Sequence, residues 1–161
     1  MKEVLKLLQK DARIDAAQVA ELTGRPEEEI RAIIEDCERR GIIRRYKTVV
    51  DWSRVDEEEE KVFAFIDVQV SPARGVGFDD VAERIYRFPE VHSLYLVSGA
   101  YDLRLVVEGR SLKEIGLFVS DKLATVDRVR GTATHFLLKK YKEDGVSFAE
   151  CTEEKRLAVT P

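Results

Sequence analysis

Apolar residues recur at helical spacing as far as Gly41 and alternate with polar ones for much of the chain beyond it. Val4, Leu5, Leu8 and Ala12 repeat at helical spacing and predict a first helix. Asp15 is placed to N-cap a second, short helix carrying Val19, Ala20 and Leu22, which Gly24 closes. Pro26 suits the first turn of a third helix, where its missing N–H costs nothing, and Ile30, Ile33, Ile34 and Cys37 then share one face up to Gly41. The stretch "IIRRYKTVVDW" that follows is β-branched and aromatic, as strands prefer. Three short helices and a β-ribbon predict a winged helix-turn-helix over residues 1–52.

The acidic stretch within "SRVDEEEEK" is read as a linker over 53–60, with a capped helix start inside a single domain as the alternative. From Lys61 the pattern changes. "KVFAFIDVQV" predicts a strand, "GFDDVAERIYRF" a helix with Val81, Ile85 and Phe88 on one side, and "VHSLYLVSG" and "YDLRLVVEG" two strands around Gly99 and Ala100. "SLKEIGLFVSDKLA" predicts a helix opened by a capping box of Ser111 and Glu114, and "RVRGTATHFLLKKYK" a last strand. The order βαββαβ over 61–142 is the ferredoxin-like split motif, so the fold class is α+β: a winged helix followed by a ferredoxin-like effector and oligomerisation domain.

Strand alternation puts Phe63 and Phe65 on the sheet face away from the helices, and an apolar patch of that size predicts a dimer, sheet against sheet. His135, in "TATHF", is read as packing or interface. The tail over 143–161 is either a frayed terminus or an arm in which Leu157 and Val159 add to a neighbouring subunit.

Composition narrows the chemistry. The 161 residues carry a net charge of -4, so any attraction to nucleic acid must come from a local patch. Cys37 and Cys151 read as free thiols, and two histidines without CxxC or HExxH spacing predict no metal site. No catalytic residue and no cofactor is assigned, since there is no nucleophile flanked by a base and no glycine-rich phosphate loop. No apolar run approaches the ~20 residues of a membrane span, and the start lacks a signal peptide's apolar core, so the expected location is cytoplasmic.

Four local signatures then occur in order. "LLQKDARIDAAQVAELTG" contributes Leu7, Asp11, Arg13 and Leu22; "ERRGIIRRYKTVVD" contributes Glu38, Gly41, Ile43 and Tyr46; "VSGAYDLRLVV" contributes Gly99, Tyr101 and Asp102; "RVRGTATHFLLK" contributes Thr132 and Thr134. Together they resemble the Lrp/AsnC (feast/famine) family of transcriptional regulators over about residues 2–142. The resemblance implies a homodimer or higher even oligomer that binds double-stranded DNA through the winged helix. It also implies that the second domain senses a small effector, often an amino acid, which alters oligomeric state or DNA affinity. Carried over by motif, the effector site comprises Val97, Ser98, Gly99, Tyr101, Asp102, Thr132 and Thr134. A glycine turn admits a ligand to the backbone, a carboxylate meets an ammonium and threonine hydroxyls donate to a carboxylate; equally, Tyr101 and Asp102 can serve only the turn.

The third helix departs from the family pattern, with Pro26 where serine is usual and Ile33 where an arginine often sits. It also opens with Glu27, Glu28 and Glu29, although carboxylates pressed on phosphate are unfavourable. Three readings stand: the glutamates suit the positive end of the helix dipole beside Arg31; one of them reads a cytosine; or affinity comes mainly from Arg25, Arg31, Arg39, Arg40, Arg44, Arg45 and Lys47 on the backbone. The first and third are favoured together. Two other functions compete: a sensor that has lost DNA and docks a partner protein, and an enzyme resembling the sirohaem decarboxylases, whose histidine-rich motif is missing here.

Overall fold

The computed structural model describes residues 1–55, 61–71 and 77–148. The chain divides into two compact units after Trp52.

The first unit holds α1 (Lys2–Lys10), α2 (Ala16–Thr23) and α3 (Glu27–Arg39) around Val4, Leu8, Ala16, Val19 and Ile30, with Leu7, Ile14, Ala20, Ile33, Ile34 and Ile43 packed against them. Asp15 caps α2 as its spacing predicts, and Gln18 makes the cap reciprocal. The Gln18 N–H donates to Asp15 Oδ1 at 2.8 Å, and the Asp15 N–H donates to Gln18 Oε1 at 3.2 Å. Gly24 closes the helix at φ 66°, a left-handed conformation that glycine adopts without the clash a Cβ brings. Leu22 points outward at 63% exposure, so Ala16 and Val19 make the inner face of α2.

Two expectations for this unit need correction. Pro26 is the residue before α3 rather than in its first turn, with ψ 140°. The β-ribbon expected over "IIRRYKTVVDW" is not formed, and among the described residues this unit contains no strand. The backbone N–H groups of Ile42 and Ile43 both donate to the Cys37 carbonyl, and Ile43 docks on the helical core. The chain after Gly41 thus completes the end of α3, and no second strand of the unit is available to pair with the rest.

The second unit is a four-stranded antiparallel sheet in the order β2-β3-β1-β4, formed by β1 (Val62–Val70), β2 (Val91–Leu96), β3 (Leu103–Gly109) and β4 (Val129–Phe136). Two helical segments cover one face: α4 (Asp79–Tyr86), and α5 (Leu112–Leu117) with its continuation. Ala64, Ile66, Val68 and Val70 from β1, Leu103, Leu105 and Val107 from β3, and Val81, Ile85, Ile115, Phe118 and Leu123 from the helices form the core. The Ser111 hydroxyl accepts the Glu114 N–H at 3.1 Å, but the Glu114 carboxylate takes the N–H of Arg110, at 2.6 Å, instead of that of Ser111. Nor is the predicted helix uniform: it loosens into a π turn at Phe118–Lys122 and tightens into a 3₁₀ turn at Leu123–Thr125.

A tight hairpin, β5 (Lys142–Glu143) and β6 (Val146–Ser147), follows β4, where the sequence pattern predicts only the end of a strand and a tail. Asp144 at φ 47° and Gly145 at φ 85° make the left-handed pair a two-residue hairpin turn requires. Leu157, Val159 and Cys151, and most of the acidic linker, lie outside the described residues. No described helix is long and apolar enough to cross a membrane.

Candidate nucleic-acid interface and effector region

Helical geometry turns Glu28, Arg31, Ala32, Glu35 and Arg39 of α3 away from the face of Ile30, Ile33, Ile34 and Cys37, of which Ile30 and Cys37 are fully buried. The cations nominated by the sequence are held by carboxylates of the same segment. Arg25 Nη1 meets Glu29 Oε1 at 2.9 Å, and Arg31 donates through both Nε (2.9 Å) and Nη2 to Glu27 Oε1. Arg39 and Arg40 share Asp36, at 2.6 and 3.0 Å. These two guanidinium groups, Arg40 first, hold the Asp36 carboxyl below its usual range. Between Arg25 and Arg40 six carboxylates face four arginines. Pairs this exposed contribute little, and one made through a single hydrogen bond, such as Arg25–Glu29, yields readily to a phosphate, whereas Arg31 is held by two.

Charge reverses after Gly41. Residues 42–47 hold Arg44, Arg45 and Lys47 and no carboxylate. All three are exposed; Arg44 lies over Gly41, and Arg45 has no ion-pair partner among the described residues. Tyr46 anchors the stretch, its hydroxyl donating to Glu38 Oε1 at 2.8 Å, and burial together with that carboxylate pushes the phenol's pKa up. This stretch is therefore cationic throughout, whereas the arginines of α3 stand among its carboxylates.

In the second unit the turn between β2 and β3 is tied into the sheet. The Asp102 N–H donates to the Val68 carbonyl at 3.0 Å, Asp102 Oδ2 accepts the Val70 N–H at 2.8 Å, and the Gln69 amide donates to the Ala100 carbonyl at 3.1 Å. Asp102 is thus engaged by the turn, through one of its two oxygens. Gly99, at φ 142°, supplies the conformation the bend needs. Val97 closes the turn by donating its N–H to the Asp102 carbonyl. Ser98 is exposed and Tyr101 half-buried.

Thr132 and Thr134 pair with Val68 and Ile66, so they share the helix-covered side of the sheet with those core residues. Val68 stands between Thr132 and the Asp102 turn, on adjacent strands either side, which puts them ~10 Å apart at two strand spacings. Among the described residues no hydrogen bond links the turn to either threonine. One protomer therefore sets the nominated effector residues at one end of the sheet without closing them into a single pocket.

Phe63, Phe65 and His135 lie on the opposite, uncovered face, where Phe65 pairs with His135 across β1 and β4. That face is not the plain apolar patch expected. At its centre sits Asp67, only 4% exposed, gripped by Arg104 through Nε–Oδ1 at 2.6 Å and Nη2–Oδ2 at 2.8 Å, with His135 Nε2 at 3.7 Å. The Arg104 hydrogen bonds hold the Asp67 carboxyl below its usual range despite burial. Phe65, Val106, Tyr95 and Ala133 surround the group through the strand register. The signal was in the sequence: "FIDVQV" places one carboxylate amid apolar strand residues.

Comparison with known proteins adds two family models: "Winged helix-turn-helix DNA-binding" matches residues 1–44, and "Lrp/AsnC ligand binding domain" matches residues 63–147. The uncharacterized HTH-type transcriptional regulator YugG of Bacillus subtilis is 49% identical over 159 residues, covering 99% of this chain and 95% of that protein. Among solved structures, the feast or famine regulatory protein of M. tuberculosis complexed with L-methionine superposes with TM-score 0.68 at 22% identity, covering 89% of this chain and 92% of that one. A transcriptional regulator of Neisseria meningitidis in complex with L-Met gives TM-score 0.65 at 23% identity, covering 88% of this chain and 89% of that one.

Proposed function

The chain belongs to the Lrp/AsnC family, and from that membership we propose that it is a cytoplasmic, DNA-binding transcriptional regulator whose oligomeric state or DNA affinity responds to an amino acid. It is a regulator rather than an enzyme: the family models are a DNA-binding and a ligand-binding domain, and the relative is named as a transcriptional regulator. The observation that carries the DNA reading is the carboxylate-free cationic stretch, Arg44, Arg45 and Lys47, fixed beside α3 by Tyr46. Phosphate contacts made there position the helix, and Arg25, Arg39 and Arg40 add to them once their weak partners exchange for phosphate. This favours DNA over a partner protein as the ligand of the first unit.

For the effector, Val97, Ser98, Gly99, Tyr101 and Asp102 supply backbone groups and a carboxylate for an ammonium, and Thr132 and Thr134 supply hydroxyls for a carboxylate. Because Val68 separates the two sets within a protomer, the site draws them from different copies. The uncovered sheet face, through Phe63, Phe65 and His135, is the dimer surface. Two structural neighbours bind L-methionine, so an α-amino acid is the first class to test. The effector shifts the assembly only by its differential affinity for the two oligomers.

Sedimentation velocity of the full chain with and without each amino acid tests this part. A change in oligomer size with one amino acid supports the reading, and an identical distribution with all of them, alongside unchanged DNA affinity, rejects it.

A further inference from the structure

Arg31 is the one cation in the N-terminal half of α3, the part of a recognition helix that meets base edges, and its side chain is not free to wander. Its Nε and Nη2 both donate to Glu27 Oε1, one turn earlier. That contact occupies one side of the guanidinium fork. The other edge, between Nη1 and Nη2, still offers two parallel N–H donors, and the side chain is 63% exposed on the outward face. Ala32, exposed beside it, is small enough to let a groove floor approach closely.

Two parallel donors fit the two acceptors, O6 and N7, that guanine presents in the major groove, whereas adenine presents one acceptor and one donor there. We infer that Arg31 reads a guanine in each half-site and that Glu27 is its positioning residue. This inference rests on the DNA-binding reading above. It also gives the first glutamate of this acidic helix a purpose: the carboxylate lowers the arginine's attraction to phosphate while fixing the direction of its free edge. Arg39 and Arg40, paired at the far end of α3, have no such placement. Arg31 thus contributes to sequence discrimination more than to salt-dependent affinity.

The test selects duplexes from a randomised pool with the full-length protein and with Arg31→Ala, Glu27→Ala and Glu27→Gln, at one exposed and one half-buried position, with helicity checked by circular dichroism. Wild type should select guanine at one position of each half-site, by roughly 5- to 150-fold over other bases, the range of a bidentate arginine–guanine pair. Arg31→Ala should flatten that position alone and leave the salt slope within about half a unit of wild type. Glu27→Ala should flatten the same position, and Glu27→Gln, whose amide oxygen still accepts, should restore most of the preference. A base preference unchanged in Arg31→Ala or in Glu27→Ala, or a wild-type site without guanine, overturns the inference while leaving DNA binding intact. Failure of the wild-type protein to bind any duplex at low salt overturns both readings, and is recognised by the absence of any selected sequence.

Discussion

Replacing Arg104 by alanine tests whether the centre of the uncovered sheet face is held as the geometry indicates. The substitution removes two charge-assisted hydrogen bonds, at 2.6 and 2.8 Å, from a carboxylate that is 4% exposed. Breaking a wholly buried pair costs about 3–5 kcal/mol, and a surface pair about 0–1 kcal/mol. Arg104 is 50% exposed in the single protomer, where solvent screens the attraction; the stranded acceptor then sets the cost, about 2 kcal/mol, and more where a second copy covers the face. Asp67→Asn, which keeps the shape and discards the charge, should cost less. Urea unfolding at fixed protein concentration measures both, and the double variant gives the coupling.

The pH dependence of that cost follows from the direction of the Asp67 shift. Arg104 lowers the folded-state value, so the stabilisation is fully present above the unfolded value of about 3.9 and is lost as pH falls through the lower folded value. The gap between wild type and Arg104→Ala should therefore be constant near neutrality and narrow on the acid limb. A gap under about 0.5 kcal/mol at pH 7, or one that does not narrow in acid, would refute the account of this pair.

Replacing Arg44 and Arg45 together by alanine should weaken DNA binding and make log K less salt-dependent by up to about two units, since each phosphate contact contributes roughly 0.9; an unchanged slope in anisotropy titrations would remove both from the backbone. Asp102→Asn keeps an oxygen for the Val70 N–H and should lose the amino-acid response at near-wild-type stability, while Asp102→Ala should lose both. Full response in the asparagine variant, followed by calorimetric titration, would show that the carboxylate serves only the turn.

Much of the architecture was legible because it rests on short-range chemistry. Asp15, Gly24 and Gly41 bound the helices through caps and left-handed termini, and the alternation in "KVFAFIDVQV" separates Ala64, Ile66 and Val68 from Phe63 and Phe65 without knowledge of any partner. What failed depends on partners distant in sequence. "IIRRYKTVVDW" has strand-forming residues, but a ribbon needs a second strand, and Cys37, Glu38 and the helical core engage its first residues instead. Asp67 was passed over because its meaning lies in Arg104, one strand away. Asp144 and Gly145 were a local hairpin signal and could have been read. At the candidate site the engagement of the nominated arginines was also within reach of the sequence, since Glu27, Glu29 and Asp36 stand three or four positions from Arg31, Arg25, Arg39 and Arg40 on the same helical segment. The motif positions in the second unit were readable as a set, yet only the register shows Val68 between Thr132 and the Asp102 turn.

The most direct test of the central claim is fluorescence anisotropy of the full-length protein on labelled duplexes from its own upstream region, across a salt series and with a panel of amino acids beginning with L-methionine. The account predicts binding that falls steeply with salt and an apparent affinity that one amino acid shifts. Binding that none of them alters would contradict the sensing claim, and no binding even at low salt would contradict the assignment of Arg44, Arg45 and Lys47 to DNA.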